Sequence, residues 1–375
     1  MNRSHNFSVI IIGPSADVLS GSLLRPINIY HSLKDLKTLE VNYISIRKII
    51  DLLLQFPLVF YGDIIIISGV NPWISAIVSL LGRVMRKAVM VDFHGFAWLE
   101  STVMNSTRFL IRVLLLVSER VSYRFPMCII TASRWLANVL SYYFGNRRNV
   151  FVIENSVPYI FEKVVNELLR QFDIRFLRRY ICERFIHSNI CLSKLLFIAP
   201  LPSIFKSNVL AYKELLRLEE SLGKEVMIVV TGIMDDKALR GSLGRVFSIG
   251  YVDYVDYVIL LLVSDGVILP YPNNAICGGI RNKVLEAGFC RKLVMSTKAG
   301  MMHFKGLPNV HYISIDTILK LEKPESLERY EYYIEYWKFV AEKLYEVVVN
   351  RYSFQAFRYS LLTLIKSILV YDIKT

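Results

Sequence analysis

Continuous apolar, β-branched runs alternate with helical patterns along the whole chain, and no other feature constrains the fold as much. In the first half these runs are "FSVIIIG", "EVNYISI", "DIIIIS", "AVMVDFHG", "CIITAS" and "VFVIEN". In the second half they are "KLLFIAP", "EVMIVVTG", "VFSIG", "DGVILP", "KLVMST" and "VHYIS". A strand that is apolar on both faces must be covered on both faces, which implies parallel sheets with helices packed on either side. The 375 residues suffice for two such domains. Segment order places an N-terminal domain over 1–190, including a connector helix from about 159, and a C-terminal domain over 191–375. The chain after Pro324 reads as closing helices that can pack back on the first domain.

The hydrophobic content of 54% and mean hydropathy of +0.40 raise the question of a membrane span. The longest uncharged run, "IIIISGVNPWISAIVSLLG", is split by Gly69, Asn71 and Pro72, so it reads as a strand, a loop and a helix. "FLIRVLLLVSERVSYR" is interrupted by Arg112, Glu119 and Arg120, so no transmembrane helix is expected. The apolar run before Gly13 is too short for a signal peptide. Five cysteines without CxxC spacing fit thiols in a reducing cytoplasm and give no metal site. The scarcity of glutamine (Gln55, Gln171 and Gln355) leans toward a thermophilic source.

A formal net charge of +13 admits three partners: nucleic acid, an anionic membrane surface or phosphorylated small molecules. No zinc finger, RNP motif or long basic tail is present, and the cations are dispersed through apolar helices. Nucleic acid is therefore not expected, whereas peripheral contact with an anionic membrane surface is. The arginine-rich stretch "YIFEKVVNELLRQFDIRFLRRYICERFIHS" reads either as a solvated connector or as an element facing a membrane or partner.

Ligands of open parallel sheets bind beyond the carboxyl ends of the strands, so candidate residues follow strands directly. After the first strand, "GPSADVLSGSLLRP" lacks the G-x-G-x-x-G fingerprint, yet Gly21 and Ser22 can bring backbone amides to a phosphate. His94 closes the fourth strand ahead of Gly95, where a neutral imidazole can hydrogen-bond a sugar hydroxyl or a developing charge. Lys206 lies where a loop turns into a helix, within reach of a phosphate. Gly232, in "TGIMDD", marks another cleft loop, and the backbone of Tyr251 and Val252 can face a flat ring. In "GGIRNKVLEAGFCRKLVMST" a helix is expected near Gly279, its free amides and dipole suited to a diphosphate. Gly278 and Gly279 permit close backbone approach. Glu286 falls about two turns on, where its carboxylate can accept the two hydroxyls of a ribose diol. Arg281 and Lys283 offer phosphate contacts, although Arg281 reads nearly as well as a surface residue.

The order of "SGSLLRPINIYHSL", "VDFHG", "CIITASRWLANVL", "VFVIENSVP", "GYVDYVDYVILLLVSDGVILPYPNN" and "GGIRNKVLEAGFCRKLVMSTKAGM" across two similar halves resembles the GT-B glycosyltransferases, specifically the retaining family-4 group. The resemblance implies two Rossmann-like doubly wound domains facing each other across a cleft, with C-terminal helices. It implies a retaining sugar transfer from a nucleotide-sugar to a lipid-linked, glycan or protein acceptor, with no cofactor and no catalytic metal. By the same resemblance Glu286 holds the ribose, Lys206 offsets the diphosphate charge and His94 contacts the donor sugar. One departure stands out: the family's two glutamates lie eight positions apart, and the first falls on Gly278. Two other readings therefore stay open, a catalytically silent nucleotide-sugar or glycan binder and a GT-B nucleotide-sugar epimerase.

Overall fold

All the apolar runs become parallel strands. A computed structural model describes residues 7–14, 21–186, 195–202, 205–218, 226–232, 246–318 and 327–372. The first half runs β1 (Phe7–Gly13), α1 (Gly21–Leu33), β2 (Leu39–Ser45), α2 (Ile49–Leu54), α3 (Phe56–Tyr61), β3 (Ile64–Ser68) and α4 (Pro72–Val84). It continues through β4 (Ala88–Phe93), α5 (Ala97–Val103), α6 (Phe109–Arg124), β5 (Cys128–Thr131), α7 (Arg134–Phe144) and β6 (Val150–Val152). Then follow α8 (Tyr159–Gln171), α9 (Ile174–Ile181), β7 (Leu195–Pro200), α10 (Lys206–Leu218), β8 (Val226–Thr231), β9 (Val246–Ser248) and α11 (Tyr254–Val263). The chain closes with β10 (Gly266–Leu269), α12 (Asn282–Phe289), β11 (Leu293–Ser296), β12 (Ile313–Ser314), α13 (Ile315–Ile318), α14 (Leu327–Tyr352) and α15 (Phe354–Asp372).

Two compact units result. Unit 1 comprises 1–159, the short return segment Cys277–Ile280 and Tyr352–Thr375; unit 2 comprises Ile160–Ile276 and Arg281–Arg351. The boundary thus falls at Tyr159 and not at 190. The physical reason is that α9 is tied into unit 2: Tyr180 donates to Asp256 on α11 at 3.0 Å, and Arg178 pairs with Asp265 at 3.5 Å.

Unit 1 is a six-stranded parallel sheet in the order β2-β1-β3-β4-β5-β6. Side chains alternate between its faces with the period of two that a strand imposes. Ile10, Ile12, Ile65 and Ile67 meet α2, α3, α4, α6 and α7 on one face. Val9, Ile11, Ile64 and Ile66 meet α1 and α15 on the other. Burying each isoleucine contributes about 1.5–3 kcal/mol, which explains why the strands are apolar throughout. Unit 2 repeats the plan with the order β12-β11-β10-β7-β8-β9. The expected α/β class of two Rossmann-like doubly wound domains with C-terminal helices is the one observed.

In each sheet the strand order reverses at one place: beside β1 and β3 in unit 1, and between β7 and β10 in unit 2. Helices leave in opposite directions there and open a crevice at the carboxyl ends of the strands. Among the described residues no helix is long and apolar enough to cross a membrane. Cys128, Cys277 and Cys290 are free thiols. Cys182 stands in a disulfide, which departs from the all-thiol set expected of a chain in a reducing compartment.

Candidate functional site

In unit 1 the reversal is occupied by a buried carboxylate. Ser68, the last residue of β3, stands in register with Asp92 of β4. Arg25, one turn into α1, donates Nε and Nη2 to Asp92 at 2.8–3.0 Å. Ser68 Oγ donates to Asp92 Oδ2 at 2.7 Å, and His94 Nε2 lies 2.7 Å from the same oxygen. Burial raises the Asp92 pKa, but the Arg25 charge and then the His94 imidazole beside it outweigh that and hold the carboxyl far below the usual range. Against an ionised Asp92 the imidazole carries its proton on Nε2. Nδ1, which makes no hydrogen bond among the described residues, is then the acceptor, on a side chain that is 20% exposed.

Arg25 also donates Nη1 to Asn155 Oδ1 at 3.0 Å and Nη2 to the Ile153 carbonyl at 2.8 Å. Asn155 passes the contact on, Nδ2 donating to the Ile280 carbonyl at 2.7 Å, while Ser133 Oγ donates to the Gly278 carbonyl at 2.6 Å. The return segment is thereby fixed against the loop that holds His94. A Cβ at Gly278 would stand 2.2 Å from the His94 carbonyl oxygen and 2.5 Å from Gly95 Cα, so only glycine fits. Gly279 is nearly as tight, with Ala132 Cβ at 2.7 Å. The position where the resemblance puts a first glutamate has no room for a side chain.

In unit 2 the reversal is occupied by a phenol between cations. Tyr271 follows β10 and is buried. Its hydroxyl donates to Asn208 Oδ1 at 2.6 Å and accepts from Lys283 Nζ at 2.7 Å. The Arg281 guanidinium lies 3.7 Å above the ring centroid. Arg281 Nη2 donates to the Ala275 carbonyl at 2.7 Å, whereas its buried Nε has no acceptor among the described residues. Asn208 sits two residues beyond Lys206, the exposed first residue of α10. Arg281 and Lys283, from the start of α12, thus meet Asn208 of α10 at Tyr271, just beyond the end of β10.

Glu286 lies in the second turn of α12, buried, with Oε2 accepting from Tyr257 Oη of α11 at 2.6 Å. Burial raises the Glu286 carboxyl to about 7 against the lowering effects of Tyr257 and Lys283. Burial likewise pushes the Tyr257 hydroxyl well above its ordinary value, with the Glu286 charge adding to the rise.

The helix that bears Glu286 starts at Asn282 with Arg281 as its N-cap, three residues later than the glycines led one to expect. Gly278 and Ile280 give their carbonyls to Ser133 and Asn155, and the segment is spent on unit 1 before the helix can form. Gly278 and Gly279 are therefore not its amide terminus, and Glu286 follows the true start by one turn. Arg281 is not a surface residue but stacks on Tyr271. Gly232 follows β8 with φ +84°, its Cβ position 2.6 Å from Pro202 Cα, so its glycine is required by the backbone itself. Tyr251 is exposed and precedes Asp253, the N-cap of α11. Val252 is half-buried beside it. Gly21 and Ser22 open α1; most of the loop before them, like "IMDD", lies outside the described residues. Reasoning from sequence missed Arg25, Asp92, Asn155, Asn208, Tyr257 and Tyr271. Of these only Asp92 carried a local signal, as the polar residue inside an otherwise apolar strand.

No protein-family model and no curated protein sequence matches the chain. Solved structures do. The chain is similar to Alr3699/HepE of Anabaena in complex with UDP-glucose, at 13% identity over 96% of this chain and 99% of that one, with a TM-score of 0.63. It is similar to sucrose-phosphate synthase of Thermosynechococcus elongatus at 11% identity, covering 97% and 100%, with a TM-score of 0.71. It is also similar to WaaG, a glycosyltransferase involved in lipopolysaccharide biosynthesis, at 11% identity, covering 96% and 99%, with a TM-score of 0.63. At these identities the likeness establishes a shared fold, that of the GT-B glycosyltransferases.

Proposed function

We propose that the chain is a glycosyltransferase that moves a sugar from a nucleotide-sugar to a lipid-linked, glycan or protein acceptor, with retention of configuration in the family-4 manner. The observation that carries this reading is the cation cluster around Tyr271, with its unsatisfied Arg281 Nε, one helical turn from the buried carboxylate Glu286. A diphosphate supplies acceptors for Arg281, Lys283 and Lys206, and a ribose diol supplies donors for Glu286. Structural neighbours that bind UDP and UDP-glucose support the same assignment.

The chemistry breaks the bond between the anomeric carbon and the diphosphate oxygen, and the nucleotide leaves with the electron pair. The acceptor oxygen forms the new bond and gives its proton to the departing diphosphate oxygen. The cations stabilise the charge that grows on the leaving diphosphate, where preorganised donors are most effective. His94 Nδ1 takes a donor-sugar hydroxyl, its tautomer fixed by Asp92. This reading needs no cofactor and assigns no residue to a metal.

Gly278 favours one second reading, a silent binder of nucleotide-sugar or glycan, since the backbone packing there excludes the carboxylate that the family usually presents to the sugar. A panel of nucleotide-sugars, assayed for nucleotide release with and without acceptor, separates the cases. Acceptor-dependent release supports transfer. Binding without release supports the silent binder, and conversion of the donor to its 2-epimer without acceptor supports an epimerase.

A further inference from the structure

Unit 1 carries a layer of helices whose outward sides are apolar. On α6 the buried residues include Ser118, Glu119 and Ser122, while Phe109, Leu110 and Leu114 are exposed, Phe109 by 78%. On α4 Ser75, Ser79 and Gly82 are buried beside Ile74, Ala76 and Val78, while Leu80 and Val84 are exposed. On α2 only Leu52 turns inward; Leu53 and Leu54 face out. A helix bordering water presents polar residues on its outward side. All three pack on the same face of the sheet, through Leu52, Ile74, Val78 and Tyr123, so their outward sides belong to one surface. Helices α4 and α6 touch directly, with Ser122 Oγ donating to the Pro72 carbonyl at 3.5 Å.

Cations border these apolar residues. Lys48 precedes α2, Arg83 lies in the last turn of α4 and Arg86 follows it, Arg108 precedes α6 and Arg120 lies on it, all exposed. The only acids in residues 47–61, 80–87 and 103–124 are Asp51, which accepts from the amides of Arg47 and Lys48, and Glu119, which is buried. Glu119 accepts from the amides of Ala97 and Trp98 at 2.7 and 3.0 Å, so it belongs to the interior of the layer.

From this juxtaposition we infer that the outer surface of α2, α4 and α6 docks on a bilayer containing anionic phospholipid, with the apolar side chains among the acyl chains and the cations at the headgroups. Exposed apolar patches of this kind mark interaction sites. The charge selects the occupant. A second copy of the chain would bring one cationic border against its twin, which like-charge repulsion opposes. An anionic headgroup layer complements that border, and an interfacial helix buries its apolar side at the acyl boundary without spanning. This surface is independent of the transferase reading, because it uses none of the residues assigned to the nucleotide or the sugar.

The test uses the full chain and two vesicle types, phosphatidylcholine alone and phosphatidylcholine with about one-third phosphatidylglycerol. The expected result is sedimentation with the anionic vesicles only, weakened by high salt. Replacing Phe109→Ser and Leu114→Ser together should lower partitioning at least about tenfold, since both side chains enter the acyl region. Arg108→Glu with Arg120→Glu should lower it and remove the salt dependence. Tyr359→Ser, exposed on α15 behind the other face of the sheet, should change nothing. Unaltered circular dichroism and thermal unfolding show that the exposed substitutions leave the fold intact. Equal binding to both vesicle types overturns the proposal, as does partitioning that survives the Phe109 and Leu114 substitutions. A dimer in gel filtration that those substitutions dissolve also overturns it, in favour of a second copy. Nucleotide binding is measured on the same variants, so loss of docking and loss of the transferase site are told apart.

Discussion

Asp92 and Glu286 are both buried carboxylates at the carboxyl end of a parallel sheet, and the two units treat them in opposite ways. Asp92 is saturated: a guanidinium, a hydroxyl and an imidazole all point at it, and its charge is held. Glu286 accepts from one phenol, Tyr257, and burial leaves it poised near neutrality. A ligand hydroxyl can compete with one phenol, but it cannot compete with Arg25. The saturated carboxylate therefore serves as an anchor that orients His94, and the sparsely partnered one as a contact that a ribose can enter.

Removing the counter-charge of the anchor should have the largest effect. Arg25→Met leaves Asp92 buried without its cation, and breaking such a pair typically costs about 3–5 kcal/mol. Denaturant unfolding followed in unit 1 should show that loss. A change below about 1 kcal/mol would mean that Ser68, His94 and water suffice for Asp92, and the contrast with Glu286 would fail.

Next comes the group that Asp92 orients. His94→Ala should lower turnover about a hundredfold while donor affinity moves much less, as befits a contact that strengthens only in the transition state. Stability should barely change, because Asp92 keeps Arg25 and Ser68. Normal turnover in the variant would reduce His94 to a partner of Asp92 and nothing more.

Glu286→Ala tests the other carboxylate. Two lost hydrogen bonds to the ribose should weaken donor binding by about 2–4 kcal/mol in calorimetry. Unchanged affinity would remove Glu286 from the nucleotide seat and leave it a core residue satisfied by Tyr257.

The comparison also marks what local sequence can carry. The described strands were legible because a strand buried on both faces must be apolar at consecutive positions. Glu286 and Lys283 were legible because helical spacing is local. Arg25 was not, since its partners Asp92 and Asn155 lie 67 and 130 residues away and no period connects them. Tyr257 was hidden in a helix that is buried almost all round. The helices α2 and α3 were hidden for the reverse reason: "IIDLLLQFPLVFY" has apolar residues on its outer side, so it lacks the amphipathic pattern by which a helix is read. Gly278 shows a third limit. Its missing side chain was visible, but the close approach to the His94 carbonyl that requires it was not.

The smallest effect is also the one that separates the two carboxylates most directly, since their linkage to pH has opposite sign. Asp92, lowered in the folded chain, contributes stability that is present above its usual value and lost only in strong acid. It gives no slope near neutrality. Glu286 is raised from 4.5 to about 7, so the folded chain holds a proton that the unfolded chain has released. Its contribution is complete below about 4.5 and disappears as pH climbs through about 7. Between pH 6 and 7 that amounts to about 1 kcal/mol of stability lost on raising the pH. Glu119, pushed up to about 8 by burial, adds a slope of the same sign over that interval. The difference between wild type and Glu286→Gln isolates Glu286, because the amide oxygen can still accept from Tyr257 while nothing titrates. The variant should be less pH-sensitive by about 1 kcal/mol across that interval, read from denaturant midpoints at each pH. Parallel curves for the two proteins would mean that Tyr257 and Lys283 keep Glu286 ionised throughout, and the two carboxylates would then differ in partners alone.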